Sequence, residues 1–317
     1  MNFNYTYGDK RYHTWNYHLK NRFGHKVFKV SLNASFTCPN KTGDAGYGGC
    51  TFCSRVGSGD FAGDVKDDLI TQFENIKEMM HQKWPEAKYI GYFQANTNTY
   101  APVPELREKY EQILNHDSNI VGLSISTRPD CLPDDVVDYL ADLNKRTNLW
   151  VELGLQSIHQ KAADYINRGH DYQTFVDGVN KLRAKGIDVV VHIINGLPFE
   201  TQEMMLETAR AVSKLDIQGL KIHLLHVIKY TRMAKQYKKG EFELMAKDDY
   251  VDTVVKQLEI LPPEVVIHRL TGDAVREDLI GPMWSLKKWE VLNAIDDELK
   301  KRDTYQGKYY KQYSTSI

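Results

Sequence analysis

Apolar residues in this chain fall into two alternating patterns. Short apolar runs occur at 27–32, 89–93, 120–125, 149–155, 189–194 and 220–225, each of strand length and bordered by polar or turn residues. Between most of them, at 67–84, 104–115, 133–146, 172–185 and 201–215, apolar positions recur every three or four residues, the spacing of one buried helix face. Asp134 and Asp135 follow Pro133, where the positive end of a helix dipole favours carboxylates. Gly186 follows the fourth helical stretch, where a helix stop is expected. Strands alternating with helices predict βαβ units and a parallel sheet. Six such units within about two hundred residues predict an α/β fold, an incomplete (βα)6 barrel spanning residues 1–230 with a basic N-terminal segment. After residue 227 the alternation weakens. Helical stretches at 247–261 and 282–302 flank a short apolar run at 265–268, so residues 231–317 read as a mostly helical extension packed on the barrel.

Composition adds limits rather than identity. Of 317 residues, 42% are hydrophobic and 26% charged, which suits a soluble chain with a substantial core. No run of about 18 apolar residues is present, which excludes a membrane helix. The first thirty residues lack the apolar segment and cleavage site of a secretory signal, and four cysteines without a framework pattern fit a reducing cytoplasm. The net charge of −1 hides an uneven distribution: residues 1–30 carry +5, residues 300–317 carry +4, and the middle carries −10. Both basic ends are rich in aromatics. Cations interleaved with flat rings suit phosphate neutralisation and base stacking, which makes Lys10, Arg11, Lys308 and Lys311 RNA-binding candidates. The plainer reading is two solvated ends whose rings pack on the core.

Three of the four cysteines, Cys38, Cys50 and Cys53, lie within sixteen residues. They are spaced C-x11-C-x2-C on a glycine-rich loop after the first strand, the end of a βα unit where ligands gather. Full protein ligation of a 4Fe-4S cluster takes four cysteines, so three leave one iron open to an outside ligand. The other reading is a zinc site completed by a histidine such as His25. Cys131 stands apart, and a buried small hydrophobe is the ordinary fate of a free cysteine.

Beyond the loop, Thr127-Arg-Pro-Asp130 follows the third strand and Glu152-Leu-Gly-Leu-Gln-Ser157 ends the fourth. Asn167-Arg-Gly-His170, Gly196-Leu-Pro198, the run 221–228 and Lys239-Gly-Glu-Phe242 come next. With the three cysteines, these blocks resemble the radical S-adenosylmethionine (SAM) enzymes. The branch they resemble contains the catalytic subunit of Elongator, the tRNA-modifying complex, and the stand-alone bacterial YtqA-type proteins that lack its acetyltransferase domain. The resemblance implies a 4Fe-4S cluster held by Cys38, Cys50 and Cys53, with SAM on the open iron, cleaved to a radical that abstracts a substrate hydrogen. It also implies SAM contacts from Phe52, Gln94, Ser126, Gln156, Arg168 and His192. Gln94 occupies the second-strand position where the family has a double glycine, and Arg168 is suited to grip a carboxylate with two nitrogens. A purely structural ion pair between Glu152 and Arg128 stays open, and Lys221 and His223 either face substrate or line the barrel.

The function implied is modification of a tRNA wobble uridine, a carboxymethylaminomethyl to aminomethyl type of step. The implied partners are tRNA, a separate SAM-dependent methyltransferase acting on the product, and an electron donor such as flavodoxin or ferredoxin, all in the cytoplasm with no membrane. Two other readings stay open: the same radical chemistry on a small-molecule or porphyrin-like substrate, and a zinc-stabilised RNA-binding module.

Overall fold

A computed structural model describes residues 3–310; Lys311 and Tyr313, counted above among the basic and aromatic residues of the C-terminal end, lie outside them. Six strands follow the predicted runs: β1 (Lys26–Leu32), β2 (Ala87–Phe93), β3 (Ile120–Thr127), β4 (Asn148–Gln156), β5 (Asp188–Asn195) and β6 (Gly219–Leu224). They pair in sequential order, all parallel. A two-residue strand, β7 (Val227–Ile228), leaves this sheet. Next, β8 (Val266–Arg269) pairs with β6 as a seventh parallel strand, and β9 (Leu279–Gly281) joins β7 in a small antiparallel ribbon. The extension beyond residue 230 therefore supplies part of the sheet itself.

The helices are α1 (Trp15–Phe23), α2 (Pro39–Thr42), α3 (Leu69–His81), α4 (Val103–Leu114), α5 (Asp134–Asn144) and α6 (Gln160–Tyr165), followed by α7 (Tyr172–Arg183), α8 (Gln202–Ser213), α9 (Arg232–Lys238), α10 (Lys247–Ile260) and α11 (Lys288–Lys301). Several begin on side-chain caps that satisfy otherwise orphaned N–H groups. Asp68 accepts from Ile70 N and Thr71 N, and Asp171 from Thr174 N. Gly186, at φ 70°, ends the segment after α7.

Alternation along each strand assigns one face to the core and one to the barrel interior. Val30, Leu123, Ile125, Val151, Leu153, Val191 and Ile222 pack outward against the helices in one continuous core. The inner face carries Lys29, Tyr92, Ser124, Ser126, Glu152, His192 and Lys221, whose hydrogen bonds converge across six strands. Side chains from β1 and β6 can meet the same carboxylate only if the sheet curls. α1 plugs the end where the strands begin: Leu19 packs with Val27, Ile90, Trp150 and Val190, and Trp15 stacks on His268 at 3.8 Å.

The two basic ends fold together at that same plugged end. Gln306 accepts from His13 N at 2.9 Å and donates to Pro262 O and Val265 O, while Arg11 O accepts from Gln306 N. Phe3 and Tyr305 meet ring to ring at 6.2 Å. Lys10 pairs with Asp296, Arg11 with Asp303 at 2.9 Å, and Lys308 donates to Asp303 O at 3.0 Å. Lys10, Arg11 and Lys308, the described RNA-binding candidates, are thus drawn into contacts within the fold. Lys10 and Arg11 are held by carboxylates that lie far away in sequence, and they stand at the opposite end of the strands. Trp284 packs on Tyr250 and donates to Met245 O, as core packing requires, whereas Trp289 is 72% exposed.

Candidate active site

The three cysteines sit in the segment joining β1 to α3, at the carboxyl ends of the strands, and all three line one cavity of about 310 Å³. Cys38 immediately precedes the short helix α2, and the loop beyond it turns through Gly48 (φ 74°) and Gly49 (φ 71°), a left-handed region that glycine enters without steric cost. Gly46 has a second reason to lack a side chain: a Cβ there would lie 2.3 Å from Asn40 Oδ1. Buried Asn40 in turn donates to Cys50 Sγ at 3.6 Å and to Asn167 O at 2.5 Å.

The sequence blocks downstream clamp this loop. Asn167 donates to Gly49 O and Tyr47 O, and Thr51 N to Ile166 O at 2.8 Å. Arg128 holds Asp130 with two bonds of 2.7 and 2.9 Å and donates to Arg168 O at 2.7 Å. From the far side of the barrel, α9 closes the clamp: Arg232 donates to Gly49 O and Met233 N to Thr51 O. The Glu152–Arg128 pair left open by the sequence does not form, because Asp130, two residues away, takes the guanidinium.

Glu152 instead is the hub of the interior. Its side chain is fully shielded from solvent and paired with Lys29, Lys221 and His192. Tyr92 Oη donates to it at 2.9 Å and Ser124 Oγ at 2.6 Å. Burial alone would raise the carboxyl, but Lys221 and Lys29 hold it well below the usual carboxylate range. Burial also draws Lys221 below the ordinary lysine value and His192 down to about 4. The sequence did show a Glu on one strand and Lys on two others, but not that curvature would bring them together.

All six expected SAM contacts line the cavity. Phe52 packs against a small apolar cluster that includes Leu225 and Val227. Gln94 donates to Ser58 O at 2.8 Å, and Ser126 meets Tyr92 Oη at 2.9 Å. Gln156 lies at φ 62°, its Oε1 is buried without a partner, and its amide lies where a side chain on Gly154 would have to go. A strained backbone and an orphaned acceptor facing a cavity are both signs of a ligand site. Arg168 differs from expectation: Nε and Nη1 serve the carbonyls of His170, Leu155 and Ser157. Only Nη2 is left, buried and unpartnered, so the two-nitrogen grip on a carboxylate is not available. Cys131 is buried, and burial pushes its thiol up to about 12, an inert side chain.

Residues 38–212 match the model of the radical SAM superfamily, and residues 217–301 match a radical SAM C-terminal domain. The chain belongs to the radical SAM superfamily. It is 62% identical over 310 residues to the uncharacterised protein YtqA of Bacillus subtilis, covering 98% of this chain and 96% of that one. It is 37% identical over 279 residues to the protein YhcC of Escherichia coli K12, covering 88% and 89%. Identity to human Elongator complex protein 3 is 25% over 193 residues, 59% of this chain and 35% of that protein. Among solved structures, the archaeal Elp3 of Methanocaldococcus infernus superposes with a TM-score of 0.66 at 17% identity, over 91% of this chain and 68% of that one, which shows a shared fold.

This radical SAM protein is an enzyme whose cofactors are a 4Fe-4S cluster and SAM. The donor set fits them: three thiols on one loop, each open to the cavity, with an amide N–H on Cys50 Sγ. Among the described residues, no three His, Cys, Asp or Glu side chains are placed to share a single metal ion. A cluster asks for something different, because each thiolate meets its own iron. Among the described residues no helix is long and apolar enough to cross a membrane.

Proposed function

We propose that this radical SAM enzyme modifies the side chain of a tRNA wobble uridine, in a carboxymethylaminomethyl to aminomethyl type of step. In this reading Cys38, Cys50 and Cys53 hold the cluster. Gln156 Oε1, Arg168 Nη2, Ser126, His192 and Gln94 supply polar contacts to SAM, and Phe52 an apolar wall. When bound, cluster and SAM supply abstraction of a substrate hydrogen; the protein binds, orients and excludes water. Residues 1–230 carry the cofactor contacts, and residues 231–317 complete the walls.

The observation that supports an RNA substrate is the mouth of the cavity. Two exposed rings follow closely on its surroundings, each beneath a cation: Tyr230, two residues beyond the cavity-lining Ile228, lies 5.8 Å from Arg55, and Phe199, two residues beyond the Leu197 that packs in the cluster of Phe52, lies 4.7 Å from Lys161. Rings and guanidinium planes of this kind stack unpaired bases and meet phosphates, and an anticodon offers both. The relationship to Elongator complex protein 3 supports the same substrate. The test compares modified nucleosides in tRNA from cells with and without this gene. Carboxymethylaminomethyl-uridine is expected to accumulate without it; an unchanged profile would return the substrate to small molecules.

A further inference from the structure

The wall formed by β6 and β8 contains groups that none of these roles uses. His223 projects inward from β6 and His226 follows that strand; both line the cavity, and both have an Nε2 that is sealed from solvent without a partner. They converge at the turn after β8, where a Cβ on Gly272 would lie 3.0 Å from His226 Cε1 and 3.8 Å from His223 Nδ1. Arg269, at the end of β8, lines the same wall. A buried nitrogen left unpaired costs about 1–3 kcal/mol, so the arrangement is completed by something that enters.

Charge indicates what that is. The field on His223 comes from His192, Arg269, Lys221 and His226, with no carboxylate among them. Two carboxylates nearby are already committed: Glu152 to Lys29, Lys221 and His192, and Asp273 to Arg269 and Lys288. Around His223 the wall therefore offers donors and cations, with Asp278 the further carboxylate that lines the cavity from this loop, in a site whose other end belongs to the cluster loop.

We propose that His223, His226, Arg269 and Lys221 form a subsite for a carboxylate on the substrate. One oxygen meets the imidazole Nε2–H groups once their rings turn toward the cavity, and the other faces Arg269 and Lys221. The chemistry alone would also suit the methionine carboxylate of SAM, so the test separates the two sources. It rests on the uridine reading only in the choice of its first probe.

Holoenzyme saturated with SAM is titrated with 5-carboxymethylaminomethyluridine and with its carboxamide, which keeps the shape and loses the charge. The wild type is expected to bind the acid about tenfold or more tightly than the amide, as charge-assisted hydrogen bonds discriminate. His223→Ala and Arg269→Gln are each expected to abolish that preference while amide and SAM affinities hold. Equal binding of acid and amide by the wild type overturns the subsite, and so does a preference that survives both substitutions. A loss of SAM affinity in the variants assigns the anion to the cofactor and overturns it equally. If neither nucleoside binds, the uridine reading is what fails; N-methylglycine and its amide then make the same comparison under the same criteria.

Discussion

At the scale of single residues, the cysteine spacing carried most of what could be read in advance. Cys38, Cys50 and Cys53 open onto one cavity, whereas Cys131 is buried. Replacing any of the three by alanine is expected to abolish bound iron, and Cys131→Ala to leave it intact; full iron in the Cys50→Ala protein would remove that assignment. Glu152 was harder to read. A lone Glu in the fourth strand says nothing of its partners, because those come from β1, β2, β3, β5 and β6 and are 26 to 123 residues away. Glu152→Gln would leave Lys29 and Lys221 buried beside a neutral amide. Breaking a buried ionic cluster on one side costs about 3–5 kcal/mol, so the denaturation midpoint should fall accordingly. Glu152→Gln combined with Lys221→Met should recover part of that loss, and a double variant no better than the single would show the hub is not ionic.

Elements were legible where periodicity was long and illegible where packing is tertiary. The six strands and five main helices appear within a few residues of their predicted bounds, because each has a face that must be buried. α1 and α9 lacked such a signal: eight of nine and five of seven of their residues are less than fully buried, yet each holds a vital neighbour. α9 pins the cysteine loop through Arg232 and Met233 N. Arg232→Ala should leave the fold and SAM-free iron content intact but speed the loss of iron to a chelator several-fold; unchanged release would make the contact incidental. α1 places His18 against Trp15 and His13 at the barrel floor. Burial, with His13 and Arg22 adding to it, lowers His18 from the ordinary 6.5 to about 4. Between those values the unfolded chain takes up a proton that the folded one refuses, so stability is present above pH 6.5 and lost as pH falls toward 4. Partial solvent access limits the effect to about 1–2 kcal/mol. His18→Gln should flatten the drop in melting temperature between pH 7 and 5, and an identical pH dependence would exclude His18 as a source.

For the whole molecule, charge along the chain misled where charge in space did not. The two basic ends looked like a grip on RNA because sequence shows their cations and hides the carboxylates that fold against them. Asp296 and Asp303 reach Lys10 and Arg11 only after α11 has brought the ends together. A second set of cations was invisible for the opposite reason: Arg55 and Lys161 are set over the exposed rings of Tyr230 and Phe199 only by folding, and Lys235 and Lys238 lie on α9, the helix that clamps the cysteine loop. These two sets of cations make opposite predictions in one experiment. Replacing Arg55, Lys161, Lys235 and Lys238 by glutamine removes charge where an anticodon loop would lie. Each lost phosphate contact releases fewer counterions, so tRNA affinity should fall and its log–log salt slope should flatten by as much as roughly 3 to 4 units, less if some of the four miss phosphate. Lys10→Gln with Arg11→Gln breaks ion pairs at the plugged end, so it should lower the melting temperature and leave the slope as in the wild type. Both proteins keep the cysteines and the cavity wall, so iron content and SAM binding serve as the control on folding. If the slope instead follows Lys10 and Arg11, tRNA approaches from the plugged end, and the cavity rim has no part in holding it.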